Sequence, residues 1–249
     1  MGDFHQSGEV TTLHRFGNRD IAKLEAEIKM LSRLRPIALV LPTIFTELEG
    51  TALPEIINVL KDVKYLKQIV VTLGRFNKEQ FEYARKFFSV LPQDVTLMWN
   101  DGPRVKKLYK LLDEKNVSAG ADGKGRSAWM AYGYVLASEK SKVIVLHDCD
   151  VLTYSSEFLA RLCYPVVNHN LDFEFCKGYY SRITDRMHGR VTRLFVTPLL
   201  RALRRLLGDL DFLKYMDSFR YILAGEFSML ADLARVNRIP GDWGLEVGV

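Results

Sequence analysis

The chain has 249 residues, 48% hydrophobic and 26% charged, with a net charge of +5 and a pI near 9.0. This is globular composition, long enough for one large α/β domain, with no internal repeat or low-complexity linker. The mild basicity fits an anionic ligand and is too weak to indicate nucleic acid. No apolar run reaches the roughly 18 residues a membrane-spanning helix needs, and no signal peptide is expected.

Residues 1–18 read as a frayed arm. From Asn18, the spacing of Ile21, Leu24, Ile28, Leu31 and Leu34 predicts a helix that Pro36 stops. IALVL (37–41) then reads as a buried strand, followed by a loop at PTIFTELEG and a helix after it. QIVVTL (68–73), VTLMWN (95–100) and KVIVLH (142–147) read as three more strands. Helices are expected over 77–90, 103–113, 126–138 and 155–167. Strands alternating with helices imply a parallel sheet covered on both faces, and ligands of such sheets gather at the carboxyl ends of the strands. In the second half, 171–181 reads as strand, 189–208 as a helix interrupted near Pro198, and 223–236 as a further helix. The last residues, GDWGLEVGV, have no terminating character, which predicts a domain that continues beyond Val249. Cys149, Cys163 and Cys176 are odd in number and lack CxxC spacing. They point to a reducing, cytoplasmic setting rather than to disulfides or zinc.

Four segments carry candidate chemistry. In VIVLHDCDV (143–151), Asp148 and Asp150 end a buried strand two residues apart. Residues at that spacing point the same way, and like charges so placed repel unless a cation sits by them. The pair reads either as the Mg²⁺ or Mn²⁺ carboxylates of a nucleotide-sugar transferase or as a solvated turn. His147 reads as a satisfied strand-end residue rather than a ligand. GADGKGRSAW (120–129) is glycine-rich and opens a helix, so its backbone donors and Lys124 could meet phosphate. It matches neither a Walker A loop nor GxGxxG, and a surface loop is its default reading. Arg182, Arg186, Arg190 and Arg193 cluster with Lys177, which suits carboxylate and phosphate recognition or a solvated basic face. The amphipathic run 194–216 packs on the core, on a dimer partner or, less often, on a membrane.

In this order the segments resemble the glucosyl-3-phosphoglycerate synthases of glycosyltransferase family 81. The resemblance covers residues 37–249. It is carried by GRVT (189–192) with Pro198-Leu199-Leu200, by LAGEF (223–227) and by GLEVG (244–248). It implies the GT-A fold and three segments: an arm and helix (1–36), a nucleotide-sugar-binding domain (37–168) and an acceptor-binding region (169–249) cut short by the chain end. The implied donor-binding residues are Pro42, Glu47, Lys124, Asp148 and Cys149. The metal ligands are Asp148 and Asp150, with Asp150 the direct one. Gly189, Arg190 and Thr192 bind phosphoglycerate, and Leu223 and Glu246 lie by the donor sugar. A further metal-binding histidine would fall after Glu246. Two departures stand out: Phe-Thr-Glu (45–47) replaces the family's Asn-Glu-Glu, and TLGRFN (72–77) replaces its acidic loop. The second leaves UDP-glucose against GDP-glucose open.

The implied activity is transfer of glucose from a nucleotide diphosphate to the 2-hydroxyl of 3-phosphoglycerate with retained configuration, in a cytoplasmic enzyme with a homodimer among its possible states. The alternatives are mannose as the sugar, a polyprenyl-phosphate acceptor, or a non-catalytic scaffold.

Overall fold

The computed structural model describes residues 10–15, 20–180 and 190–249. The chain forms two compact units, Arg19–Cys176 with Gly225–Val249, and Met1–Asn18 with Lys177–Ala224. Residues 169–249, one segment by sequence pattern, are thus shared between the two.

The larger unit is built on a six-stranded sheet. After helix α1 (Ile21–Leu31), the chain runs through β1 (Ile37–Thr43), α2 (Phe45–Glu49), α3 (Ala52–Leu60), β2 (Leu66–Leu73), α4 (Lys78–Phe88) and β3 (Asp94–Trp99). It continues through α5 (Pro103–Glu114), α6 (Lys124–Ser138), β4 (Val143–Leu146), α7 (Ser156–Val167) and β5 (Phe175–Lys177). Helix starts follow the local chemistry. Asn77 and Gln80 form a reciprocal capping box at α4, Pro103 opens α5, and the Ser155 hydroxyl accepts from Phe158 N at 3.2 Å at α7.

β1 pairs in parallel with β2 on one side and β4 on the other, and β2 pairs in parallel with β3. The order β3-β2-β1-β4 therefore reverses direction at β1, and the crevice between the carboxyl ends of β1 and β4 is a topological switch point. Successive strand residues face opposite cores. Ile37, Leu39 and Leu41 join the cluster of α1, α3, α4 and α7, while Ala38 and Val40 join that of α6. Val143 to Leu146 are fully buried on both faces, which explains a continuous apolar run without alternation.

Two expectations fail here. Residues 223–236 are not one helix: they contain strand β6 (Phe227–Leu230) and then α10 (Ala231–Val236). β6 runs antiparallel to β4, so the sheet is mixed rather than all parallel. Phe227, Ser228 and Met229 are all buried, and a central slot beside β4 favours the extended form over local helix propensity. The strand expected over 171–181 shortens to β5, and the loop expected at PTIFTELEG holds α2.

In the smaller unit, a π-helical stretch (Thr192–Val196) leads into α8 (Thr197–Leu207), followed by α9 (Asp211–Ser218). Pro198 does not end the helix: it lies in an unbroken helical stretch from Arg190 to Leu207, directly after the π-helical residues, so the expected interruption takes the form of a widened turn before the proline. A last helix, α11 (Leu245–Gly248), belongs to the larger unit. Among the described residues no helix is long and apolar enough to cross a membrane.

Candidate active site

At the switch point, β4 delivers His147, Asp148, Cys149 and Asp150, and β1 delivers Pro42, Thr43 and, one helical turn later, Glu47. His147 is fully buried. Its Nδ1 lies 3.0 Å from the Asp148 carbonyl and its Nε2 3.0 Å from the Tyr154 hydroxyl. A carbonyl only accepts, so Nδ1 carries the proton and Nε2 accepts from Tyr154. Burial lowers its pKa to about 4 and keeps the ring neutral. Both nitrogens are engaged, which makes His147 a structural residue, as the sequence reading favoured.

Cys149 is buried 3.3 Å from the Thr43 hydroxyl. It ties the two strand ends together. Lys124, the first residue of α6, ion-pairs with Asp148 and, at 2.6 Å, with Glu246 of α11. Burial opposes its charge, but the two carboxylates outweigh that and raise its pKa. A lysine at a helix N-terminus also faces the positive end of the helix dipole, so these carboxylates are what hold it there. Glu47 accepts from Ile44 N at 2.9 Å. Burial, reinforced by the charges of Asp150 and Asp148, raises its pKa to about 7. Two carboxylates thus hold the ammonium, and Glu47 lies close enough to feel Asp150, Asp148 and Lys124.

The glycine-rich turn does something the sequence did not announce. Its backbone donors do not wait for phosphate. Gly125 N donates to Asp242 O at 3.1 Å and Arg126 N to Gly241 O at 2.5 Å. A Cβ on Gly123 would meet Asp242 Cα at 2.5 Å, and one on Gly125 would collide with Pro240 O. The glycines let segment 240–242 lie on the turn, which seats α11 and puts Glu246 on Lys124. Gly225, within LAGEF, was also missed: a Cβ there would collide with Oδ2 of Asp148. Its signal was a glycine between two apolar runs, a sign of close backbone approach.

Pro42, Glu47, Lys124, Asp148, Cys149, Asp150 and Glu246 all belong to the larger unit. Arg190, Thr192 and Leu223 belong to the smaller one. There Arg190 is exposed at the start of a helical stretch, and Thr192 and Leu223 are half-buried. Gly189, Arg182 and Arg186 lie outside the described residues.

No family model matches the chain. The glucosyl-3-phosphoglycerate synthase of Persephonella marina is 49% identical over 249 residues, and that of Methanococcoides burtonii 41% over 251. The chain is thus similar over its whole length to two glucosyl-3-phosphoglycerate synthases. It spans 62% and 61% of the length of those two synthases, while they cover 100% and 99% of it. Among solved structures, the Mycobacterium tuberculosis glucosyl-3-phosphoglycerate synthase with Mn²⁺, UDP and glucosyl-3-phosphoglycerate matches with a TM-score of 0.62 at 22% identity. It covers 95% of this chain and 69% of its own. The same synthase with Mn²⁺, UDP-glucose and phosphoglyceric acid gives a TM-score of 0.61, and with Mg²⁺ and UDP 0.62. The likeness establishes the fold, the GT-A fold of these synthases.

Proposed function

We propose that the chain is the donor-binding and acceptor-binding part of a retaining glycosyltransferase. It would move glucose from UDP-glucose to the 2-hydroxyl of 3-phosphoglycerate. The observation that carries this reading is the acidic site at the β1/β4 switch point, where Lys124 pairs with Asp148 and Glu246 and Glu47 lies near Asp148 and Asp150. The relatives' names support the glucosyl-3-phosphoglycerate product, and the M. tuberculosis complex with UDP-glucose and phosphoglyceric acid supports UDP-glucose over GDP-glucose as donor in this reading.

The site's chemistry fits a divalent cation. Carboxylates outnumber cationic side chains, and hard oxygen donors suit Mg²⁺ or Mn²⁺. Asp150 and Asp148 would hold the ion, leaving positions for phosphate oxygens and water; among the described residues no group of three acidic, histidine or cysteine side chains surrounds a metal position. The ion would offset charge on the leaving diphosphate.

Lys124 would supply positive charge to the same phosphates, and Glu246 would fix its ammonium. Pro42, Glu47 and Cys149 would shape the nucleotide side. Arg190 and Thr192, with Gly189, would bind the acceptor's phosphate and carboxylate, and Leu223 would line the sugar. None of the assigned residues is given the part of covalent nucleophile. We therefore infer front-face transfer: the acceptor oxygen bonds to the anomeric carbon as the diphosphate leaves the same face. The acceptor proton passes to a phosphate oxygen. Free Cys149, Cys163 and Cys176 support a cytoplasmic setting.

A donor-by-acceptor assay tests the reading. UDP-glucose, GDP-glucose and GDP-mannose are each offered with 3-phosphoglycerate or a polyprenyl phosphate, with Mg²⁺ or EDTA. The expected result is EDTA-sensitive glucosyl-3-phosphoglycerate from UDP-glucose, with the α-anomer of the donor retained by NMR. Gel filtration of the same sample reads the oligomeric state and tests whether a homodimer forms. Transfer to lipid phosphate alone would overturn the acceptor assignment.

A further inference from the structure

The carboxylate cluster already contains a cation of its own. Lys124 joins Asp148 to Glu246, and its side chain is only 19% exposed. Asp148 Oδ1 takes the ammonium, and its Oδ2 stands where a Cβ on Gly225 would fall, so the carboxylate is also confined by close backbone. Asp150 differs. It is exposed and makes no ion pair among the described residues. The two carboxylates of one motif are therefore in different states, one neutralised internally and one open to solvent.

We infer that Lys124 is a resident counter-ion that occupies Asp148 until a divalent cation and a diphosphate arrive together. This rests on the reading of Asp148 and Asp150 as the cation's carboxylates. A monovalent and a divalent cation cannot share Asp148 cheaply, because in a half-buried site their repulsion is only weakly screened. Lys124 must give up Asp148 for a metal to take it. Without nucleotide, the released ammonium keeps Glu246 alone and stays beside the incoming charge. With a diphosphate present it gains a new anionic partner, and the exchange becomes favourable. Metal and nucleotide then bind with positive coupling, which Lys124 transmits. Glu246 serves as the tether that keeps the ammonium within reach during the exchange. Lys124 is in this sense a positioning residue for the metal as well as a phosphate contact.

The test is Mn²⁺ binding to the 249-residue chain, read from free-Mn²⁺ electron paramagnetic resonance with and without UDP. Lys124→Met should tighten Mn²⁺ binding in the absence of UDP by about tenfold or more, because a repelling charge is gone. Lys124→Arg keeps the charge and should stay within about threefold of the parent chain. In Lys124→Met, UDP should improve Mn²⁺ affinity by a smaller factor than in the parent, because direct phosphate–metal contacts remain while the exchange at Asp148 is gone. A readout without any substitution runs in parallel. The acylation rate of Lys124 by an amine-reactive ester, followed by peptide mass spectrometry, should rise when Mn²⁺ alone is added at saturating concentration. Unchanged or weaker Mn²⁺ binding by Lys124→Met, or unchanged labelling of Lys124, overturns the counter-ion role while leaving the metal site intact. If no form binds Mn²⁺ even with UDP, the assignment of Asp148 and Asp150 fails instead, and the counter-ion role falls with it.

Discussion

Two carboxylates in the same pocket behave differently because their surroundings differ. Asp150 is exposed, so its removal leaves no buried group unpaired and the fold should survive. Asp150→Ala is expected to abolish transfer and to strip the Mg²⁺ dependence from UDP binding. Calorimetry with and without EDTA measures this, with circular dichroism as the check on folding. Glu47 is the opposite case. Its ordinary pKa of 4.5 rises to about 7 through burial and the neighbouring Asp150 and Asp148. Between those values the folded chain holds a proton that the unfolded chain has released. The group's contribution to stability therefore falls as pH rises through that window, and the penalty is complete above pH 7. Glu47→Gln keeps an oxygen for Ile44 N and removes the charge. In urea denaturation at pH 8 it should be more stable than the parent by about 2 kcal/mol, allowing for solvent screening. The gap should close at pH 4.5. An equal gap at both pH values would mean that packing, not ionisation, distinguishes the two.

At the level of elements, the site depends on backbone approach as much as on side chains. The loop before β6 passes so close to Asp148 that Gly225 has no room for a Cβ. In Gly225→Ala the yielding atoms are those of a short carboxylate, so the fold should lose only about 1–2 kcal/mol. Mn²⁺-dependent UDP affinity should fall further, by about tenfold, because Asp148 leaves its place. A melting temperature that collapses along with affinity would instead make Gly225 a packing residue. α6 offers a test independent of catalysis. It ends on Glu139, whose φ of +53 lies in the left-handed region that glycine tolerates best. Glu139→Gly should stabilise the chain by about 1 kcal/mol in chemical denaturation and leave UDP binding unchanged.

At the scale of the molecule, the residues proposed for donor and metal belong to the larger unit, and Arg190 and Thr192, proposed for the acceptor, to the smaller. Arg190→Ala should therefore raise KM for 3-phosphoglycerate by about 10- to 150-fold, the worth of a charge-assisted hydrogen bond, with UDP affinity little changed. An equal loss of UDP binding in calorimetry would move Arg190 to the donor side. The smaller unit also carries Phe195, Leu199 and Leu206 exposed along one helical face. Spacings of four and seven residues produce that stripe from the sequence alone.

The sequence by itself determined the α/β alternation, the four parallel strands and the acidic end of β4. Those features rest on local apolar periodicity and on a sharp polarity change, and both are readable without neighbours. It also pointed to Lys124, through a glycine-rich basic turn that opens a helix, and to Glu246, through motif resemblance alone. Only the tertiary structure decided that 227–230 is a strand, because the slot beside β4 selects the extended form over a helical pattern. It likewise decided that the glycine-rich turn spends its backbone donors on residues 241 and 242. Hydrogen bonds between segments more than a hundred residues apart leave no periodic trace. The pairing of Lys124 with Asp148 and Glu246 is of the same kind, since three separate elements must fold before one ammonium can meet both carboxylates.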